Sequence, residues 1–383
     1  MTTNKQQHTN NTQQPRSTMI QISFTSKSQV IKIINRSLSS TTIKHNAKIK
    51  KKRPMVHLSS APNVKFSGKQ IGSTHPVIPH DITPQRTVDI ASKSMPEYAT
   101  NGIVTVPSDD LANDGIDLNI HNEETVEKMR KASNLAARML QLACQMAQPS
   151  ITTNEIDEVV HNEIIKEGGY PSPLNYKGFP KSICCSINEV ACHGIPDLRP
   201  LQDGDLISID VSVYLDGFHG DTCASIIVAG DNNAQEHFHC SDSSTNQKLR
   251  AQALIDGTKD ALYSAISICK AGTSLHEIGS CIHDVADSHR LRPMKKICGH
   301  GIGSQLHMYP EIKQYRNTSK SDTIQVLEPG MIITIEPVLV EGHHAFAKWD
   351  DGWTICTVDG GLAAQFEHTI LITNEEPEIL TFL

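Results

Sequence analysis

Apolar positions along this chain follow two periods, and the two alternate in a repeated order. Between Glu123 and Ala147, the residues Val126, Met129, Ala132, Ala136, Met139, Leu140, Ala143 and Met146 form a helical stripe, with Glu123 and Glu124 in its first turn and Pro149 beyond its end. A second helix is predicted after Thr153, a residue able to cap it, through Ile156, Val159, Val160 and Ile164 to Gly168-Gly169. A similar pair follows, from Leu249 to Lys270 and then from a Ser274 cap through Leu275, Ile278, Ile282 and Val285. The stretch from Pro149 to Ile156 lines up with that from Ala271 to Ile278, both ending on Glu-Ile, which suggests two related halves. Chance similarity of two helical hairpins is the alternative.

Strand-like segments follow each helix pair. From Leu206 to Tyr214, Ile207, Ile209, Val211 and Val213 alternate with Ser208, Asp210 and Ser212, and Asp216-Gly217 is a two-residue hairpin signal before a return strand from Phe218 to Val228. With that turn, Asp210 faces Cys223 and Ser212 faces Asp221, so Asp210 and Asp221 are diagonal neighbours on one polar face. Later strands are predicted from Ile332 to Val340 and from Ala363 to Thr373. Helical hairpins with antiparallel strands mean an α+β fold.

Composition changes the picture at the amino terminus. Of 35 Lys and Arg, 13 fall in residues 1–80, which contain no Asp or Glu, so the net charge of -7 hides a basic arm ahead of an acidic body. That arm has aromatic residues only at Phe24 and Phe66, too little apolar surface to offset the entropy of ordering. A disordered presequence is expected, with an amphipathic import helix over 17–37 and a mitochondrial destination, a plastid or the cytoplasm being the alternatives. The run Lys48 to Arg53 would also suit a nuclear signal, an RNA or ribosome patch, or a solvated tail. Residues 81–114 carry turn residues without a period and read as an extended linker; the catalytic domain is placed at 115–383. No run approaches the roughly 18 apolar residues of a membrane-spanning helix, and no C-x-x-C occurs among the 10 cysteines. A reducing compartment follows, without membrane insertion.

Candidate chemistry lies in the strands. Two carboxylates at Asp210 and Asp221 repel unless protonated or bound to a cation. Glu336 and Glu367 sit in strands whose neighbours are otherwise core-like, and such glutamates require a partner. His300 is flanked by Gly299 and Gly301, small neighbours expected to let a ligand approach. Each acid alone is more often a salt-bridge member or a turn cap. Together, four carboxylates and one imidazole suit a pair of divalent ions such as Mn, Fe, Co or Zn, able to share a hydroxide and polarise a carbonyl.

These residues stand in motifs that closely resemble those of type I methionine aminopeptidases. The match runs through Lys181-Ser182-Ile183-Cys184, Ser186-Ile187-Asn188-Glu189-Val190, Cys192-His193-Gly194-Ile195-Pro196-Asp197, Ile209-Asp210 and Asp216 to Thr222, then Gly299-His300-Gly301-Ile302-Gly303, Ile335-Glu336-Pro337 and Gln365-Phe366-Glu367-His368-Thr369. The resemblance implies a pita-bread fold, two pseudo-symmetric halves around a curved antiparallel sheet. It implies that Asp210 chelates one metal, His300 and Glu336 the other, and that Asp221 and Glu367 bridge both. Glu336 would also shuttle the proton of the attacking water, His193 would bind the peptide around the scissile amide nitrogen, and His307 would stabilise the tetrahedral intermediate. Tyr176, Phe179, Cys184, Leu306 and Trp353 would line the methionine pocket. Substrates would be nascent polypeptide N-termini with a small second residue, acted on by a monomer with possible ribosome contact and no specific nucleic acid.

The chain departs from the family at Leu306, where Phe is usual, and at Met308-Tyr309-Pro310-Glu311. Residues 230–246 read as a solvated insertion, although His237, His239 and Cys240 within it have metal-ligand spacing. Cys184-Cys185 reads as pocket and packing rather than as a catalytic thiol or disulfide. Two alternatives remain in play: an X-Pro aminopeptidase or prolidase of the same fold, and a non-catalytic binding module.

Overall fold

The computed structural model of the chain describes residues 70–88, 95–104, 120–230, 243–317, 322 and 324–382. The expected import helix over 17–37, the basic run 48–53 and the His237, His239 and Cys240 group lie outside the described residues.

The helices form where the apolar stripes predict, with corrections at their starts. Helix α1, Glu123–Met146, is capped by Asn122, whose side chain accepts from the Thr125 N–H. Helix α2, Thr153–Lys166, is capped by Thr152 and not by Thr153, in a reciprocal capping box with Glu155. Helix α3, Ser243–Ile268, begins before Leu249, so Ser243 to Asn246 belong to it rather than to the insertion loop. Helix α4, Leu275–Ser288, is capped by Ser274 in the same kind of box with Glu277.

The two halves agree beyond helix order. The Ser150 N–H donates to Leu201 O, and the Leu201 N–H returns to Ile151 O, both at 2.8 Å. In the second half Gly272 donates to Leu327 O at 2.9 Å and Leu327 to Thr273 O at 2.8 Å. Ser150 and Gly272, at equivalent places, both adopt positive φ, 73° and 87°. Matching caps, turns and exchanged hydrogen bonds make this a duplicated architecture, because unrelated hairpins have no reason to share all three.

The halves meet in a nine-stranded sheet. Its strands that position the site are β1, Cys184–Ile187; β2, Leu206–Leu215; β3, Phe218–Ile227; β4, Cys298–Gly301; β5, Met308–Lys313; β6, Ile332–Ile335; and β7, Glu367–Leu371. Their order is β2-β3-β7-β6-β4-β5, all pairs antiparallel, with β1 added on the free edge of β2. The hairpin register is as predicted, Asp210 facing Cys223 and Ser212 facing Asp221. One sheet face is apolar: Leu206, Ile333, Ile335 and Ile370 bury against Leu254, Ile278 and Ile282 of α3 and α4. On the hairpin, α1 comes so close that a Cβ at Gly220 would strike the backbone of Ala132 and Ser133.

Two predicted strands are each broken in two. Ile332 to Val340 divides into β6 and Val338–Val340, and Ala363 to Thr373 divides into Ala363–Gln365 and β7. The pieces Val338–Val340 and Ala363–Gln365 pair with each other in a separate three-stranded sheet. Pro337 cannot donate a ladder hydrogen bond, and the strand leaves the large sheet after Ile335, with Glu336 at the break.

The boundary expected at residue 80 falls inside a hydrogen-bonded segment. Ile71 donates to Asp359 O at 2.8 Å, His75 O accepts from Asn188 at 2.8 Å, and Thr83 accepts from Lys181 at 2.6 Å. Arg86 pairs with the buried Asp157 at 3.1 Å. Low hydrophobicity concealed these contacts because they are polar and long-range. No helix among the described residues is long and apolar enough to cross a membrane.

Candidate metal centre and substrate pocket

One row of residues crosses the polar face of the sheet. Cys184 on β1 faces Asp210 on β2, Asp210 faces Cys223 on β3, and Cys223 faces Glu367 on β7. Asp221 lies diagonally from Asp210 and accepts the Ser212 hydroxyl at 2.7 Å. Glu336 leaves β6 at its break and accepts from the Thr334 hydroxyl at 3.1 Å. His300 on β4 brings Nε2 to 3.5 Å from Glu336 Oε1 and 3.9 Å from Asp221 Oδ2. Its Nδ1 is 3.0 Å from the Gly301 carbonyl, so Nδ1 carries the proton and Nε2 turns its lone pair toward the carboxylates.

The glycines beside His300 serve a different purpose from the one expected. A Cβ at Gly299 would collide with the Thr334 carbonyl, and one at Gly301 with the Tyr309 carbonyl. They admit the neighbouring strands, not a ligand.

The buried carboxylates lack compensating positive charge, so without a cation they tend to hold protons instead. Burial pushes the Asp221 carboxyl up to about 6. Burial and then the neighbouring carboxylates push Asp210, Glu336 and Glu367 well above the usual range, while burial takes the His300 imidazole down to about 4. Asp210 Oδ1 and Glu367 Oε1 are buried with no hydrogen-bond partner. Among the described residues, ligand atoms of Asp221, His300 and Glu367 all lie within 4.8 Å of one another. Converging oxygens, one imidazole lone pair and orphaned carboxylate atoms fit divalent cations.

The predicted substrate residues gather beside this cluster. The His307 ring lies 4.4 Å from that of His300, and the Tyr176 hydroxyl is 2.6 Å from His307 Nδ1. Trp353 is edge-on to Phe179 at 5.2 Å and to His193 at 5.9 Å. Tyr176 and Leu306 belong to one buried apolar cluster against which Trp353 packs. Burial pushes the Cys184 thiol up, which keeps it protonated and suits packing rather than nucleophilic chemistry. His193 has φ 55°, and burial lowers its imidazole to about 4, a neutral ring able to hydrogen-bond a peptide. The departing stretch Met308–Glu311 forms the start of β5, where Glu311 faces His300.

Sequence reasoning missed Tyr98 and Thr369 as parts of this site's frame, Tyr98 packing edge-on to Tyr176 and Thr369 bonding the Asp221 backbone. Tyr98 was visible as the one aromatic residue in the segment 81–114. Thr369 stands in the Gln365 to Thr369 motif, but its contact with Asp221 joins segments distant in sequence.

The profile of metallopeptidase family M24 matches residues 127–374. The chain is 45% identical over 290 residues to methionine aminopeptidase 1D, chloroplastic/mitochondrial, of Arabidopsis thaliana, covering 75% of this chain and 77% of that protein. It is 39% identical over 313 residues to methionine aminopeptidase 1D, mitochondrial, of Homo sapiens, covering 82% of each. Among solved structures, the methionine aminopeptidase of Rickettsia prowazekii superposes with a TM-score of 0.62 at 38% identity, covering 69% of this chain and all (100%) of that one. The prolidase of Pyrococcus furiosus, at 20% identity and a TM-score of 0.51, shares the fold alone. With its duplicated α+β halves and carboxylate-histidine cluster, the chain belongs to metallopeptidase family M24, among the type I methionine aminopeptidases.

Proposed function

We propose that this enzyme removes the initiator methionine from nascent organellar proteins whose second residue is small and uncharged. The observation that supports it best is the placement of the carboxylate-histidine cluster beside the pocket walled by Tyr176, Phe179, Cys184, Leu306 and Trp353. Asp210, Asp221, His300, Glu336 and Glu367 would hold two divalent ions, Co, Mn, Fe or Zn. Bound there, such ions supply Lewis acidity and lower the pKa of water toward neutrality.

The chain's own groups do the rest. Glu336 takes the proton of the attacking water and returns it to the leaving amine. His193 hydrogen-bonds the peptide around the scissile amide nitrogen. His307, held by Tyr176, donates toward the carbonyl oxygen as negative charge develops there. The thioether side chain rests on Phe179 and Trp353, whose edge-to-face pair walls a slot for an unbranched side chain.

Hydrolysis of Met-Ala-Ser beside Ala-Pro peptides tests the reading. Preference for Met-Ala-Ser is expected; preference for the proline peptide would replace it with a prolidase assignment. Bound divalent metal in the purified protein, lost in Asp221→Asn, separates an enzyme from a binding module of the same fold.

Address follows from the acid-free arm of residues 1–80 and is supported by relatives named for mitochondria or chloroplasts. A mitochondrial destination is proposed, and a reporter fused to residues 1–80 that stays diffuse in the cytosol would overturn it. Ribosome contact fits exposed Arg292, Lys295 and Lys296 on an otherwise acidic body, and salt-sensitive cosedimentation with ribosomes tests it. A monomer is proposed, checked by light scattering.

A further inference from the structure

His307 lies on the cleft wall with its side chain exposed. An exposed imidazole has several rotamers, and only one can donate to a substrate carbonyl. What holds it here is the Tyr176 hydroxyl, 2.6 Å from Nδ1. A hydroxyl that donates to Nδ1 leaves the ring proton on Nε2, the tautomer that can donate to an oxygen. A phenol keeps its proton at neutral pH and can donate it, and burial of Tyr176 strengthens that tendency.

Tyr176 itself sits in a turn that needs support. Asn175 and Lys177 on either side have φ of 62° and 46°, a backbone region that costs a non-glycine residue free energy and persists only where surroundings impose it. The surroundings come from residues 95–104, which lie upstream of the family match. The Asn175 amide donates to Ala99 O at 3.1 Å and to Tyr98 O at 3.4 Å. Gly102 approaches so closely that a Cβ there would stand 3.2 Å from Asn175 Oδ1. The Tyr98 ring meets Tyr176 edge-on at 5.1 Å, and its hydroxyl is anchored on Ser172 O at 2.7 Å, fully within the core. Tyr176, Leu306 and His307 line a cavity of about 310 Å³ together with Met95, Tyr98 and Val104 of this segment.

We propose that residues 95–104 are a positioning strap for His307, acting through Tyr98, Asn175 and Tyr176. The strap touches no substrate atom. It selects the turn conformation, the turn aims the Tyr176 hydroxyl, and the hydroxyl sets the rotamer and tautomer of His307. The proposal rests on the role given to His307 above.

A double-mutant cycle on the full-length, metal-loaded enzyme tests it. Tyr98→Ala removes the ring, Tyr98→Phe restores it, and Asn175→Gly removes the amide while leaving the left-handed backbone accessible. Expected results are a drop in kcat of about tenfold for Tyr98→Ala and Asn175→Gly, with KM and bound metal close to wild type, and recovery in Tyr98→Phe. In a His307→Ala background the same two substitutions should have no further effect on kcat. Wild-type kcat in both strap variants, a loss confined to KM, or losses that multiply with that of His307→Ala would overturn the strap's role while leaving that of His307 intact. A His307→Ala enzyme with wild-type kcat would instead overturn the reading of His307, and the strap's role with it. If Tyr98→Ala does not fold, Asn175→Gly carries the same cycle.

Discussion

The hydroxyl of Thr369 grips the backbone of Asp221 from both sides, accepting from its N–H at 3.2 Å and donating to its carbonyl at 2.8 Å. The ladder between β3 and β7 ends one residue earlier, at Thr222 and His368, so a side chain takes over the next rung. This fixes Asp221 relative to Glu367 on the same strand as Thr369. Thr369→Val keeps the shape and removes the grip. Metal affinity should fall by about 10- to 100-fold, the range for lost supporting hydrogen bonds, while the fold is retained. Titration of the metal-free protein with Mn or Co measures this. Unchanged affinity would show that Asp221 is placed by other contacts.

Glu336 combines a place in the carboxylate cluster, 3.5 Å from His300, with a position at the strand break. Glu336→Gln should lower kcat by at least about 100-fold, the contribution of a general base, and change peptide binding far less. Steady-state kinetics on Met-Ala-Ser, with metal content measured in parallel, give both numbers. A near-normal kcat would sink the proton-shuttle role.

Gly299 is tested by adding one carbon. In Gly299→Ala the new Cβ meets a backbone carbonyl and the Gln314 side chain, and the backbone cannot step aside without moving β4 against β6. Overpacking of this kind costs about 1–3 kcal/mol. Chemical denaturation should show that loss, together with weaker metal binding, because His300 is the next residue. Full stability would return the glycine to the role of admitting a ligand.

Lys181 carries a pH dependence. Its side chain is wholly buried, with Nζ 2.6 Å from the Thr83 hydroxyl, 2.7 Å from Asn154 Oδ1 and 4.0 Å from Asp157. Burial is the main cause that lowers its ammonium from 10.5 to about 8. The native state therefore binds this proton more weakly than the unfolded chain. Stability contributed by this group is fully present above the unfolded value near 10.5 and is lost as pH falls through about 8. Relative to Lys181→Met, which does not titrate, the wild type should gain about 3 kcal/mol between those limits. Parallel denaturant titrations across that range measure the difference; a flat difference would mean that the lysine is no harder to protonate in the fold than in the open chain.

Much of this arrangement was legible because it is local. A two-residue turn at Asp216-Gly217 dictates the whole register of its hairpin, which is why Asp210 and Asp221 could be placed on one face from spacing alone. Ser274 and Glu277 mark a helix start in the residues themselves, and the matching pair Thr152 and Glu155 was displaced by only one position. Of the two adjacent threonines, only Thr152 stands three residues before a glutamate, the spacing that Ser274 shares with Glu277. Pro337 marks the first break locally, but the break at Phe366 was not legible, because that segment keeps its alternation and only competition between two sheets interrupts it.

By itself, the sequence determined which residues are carboxylates, imidazoles and thiols, which of them alternate onto polar faces, and that a basic arm precedes an acidic body. Motif spacing was enough to assign the family, since strand period and turn chemistry act over a few residues. Tertiary structure alone decided that β7 lies between β3 and β6, and so that Glu367 shares a row with Cys223 and Asp210. It also decided that residues 71–86 and 95–104 belong to the fold, through contacts with Asp359, Lys181 and Asn175. Such pairings join segments far apart in the chain, and what selects them is the burial and hydrogen bonding available once both halves have assembled, a quantity that no local pattern encodes.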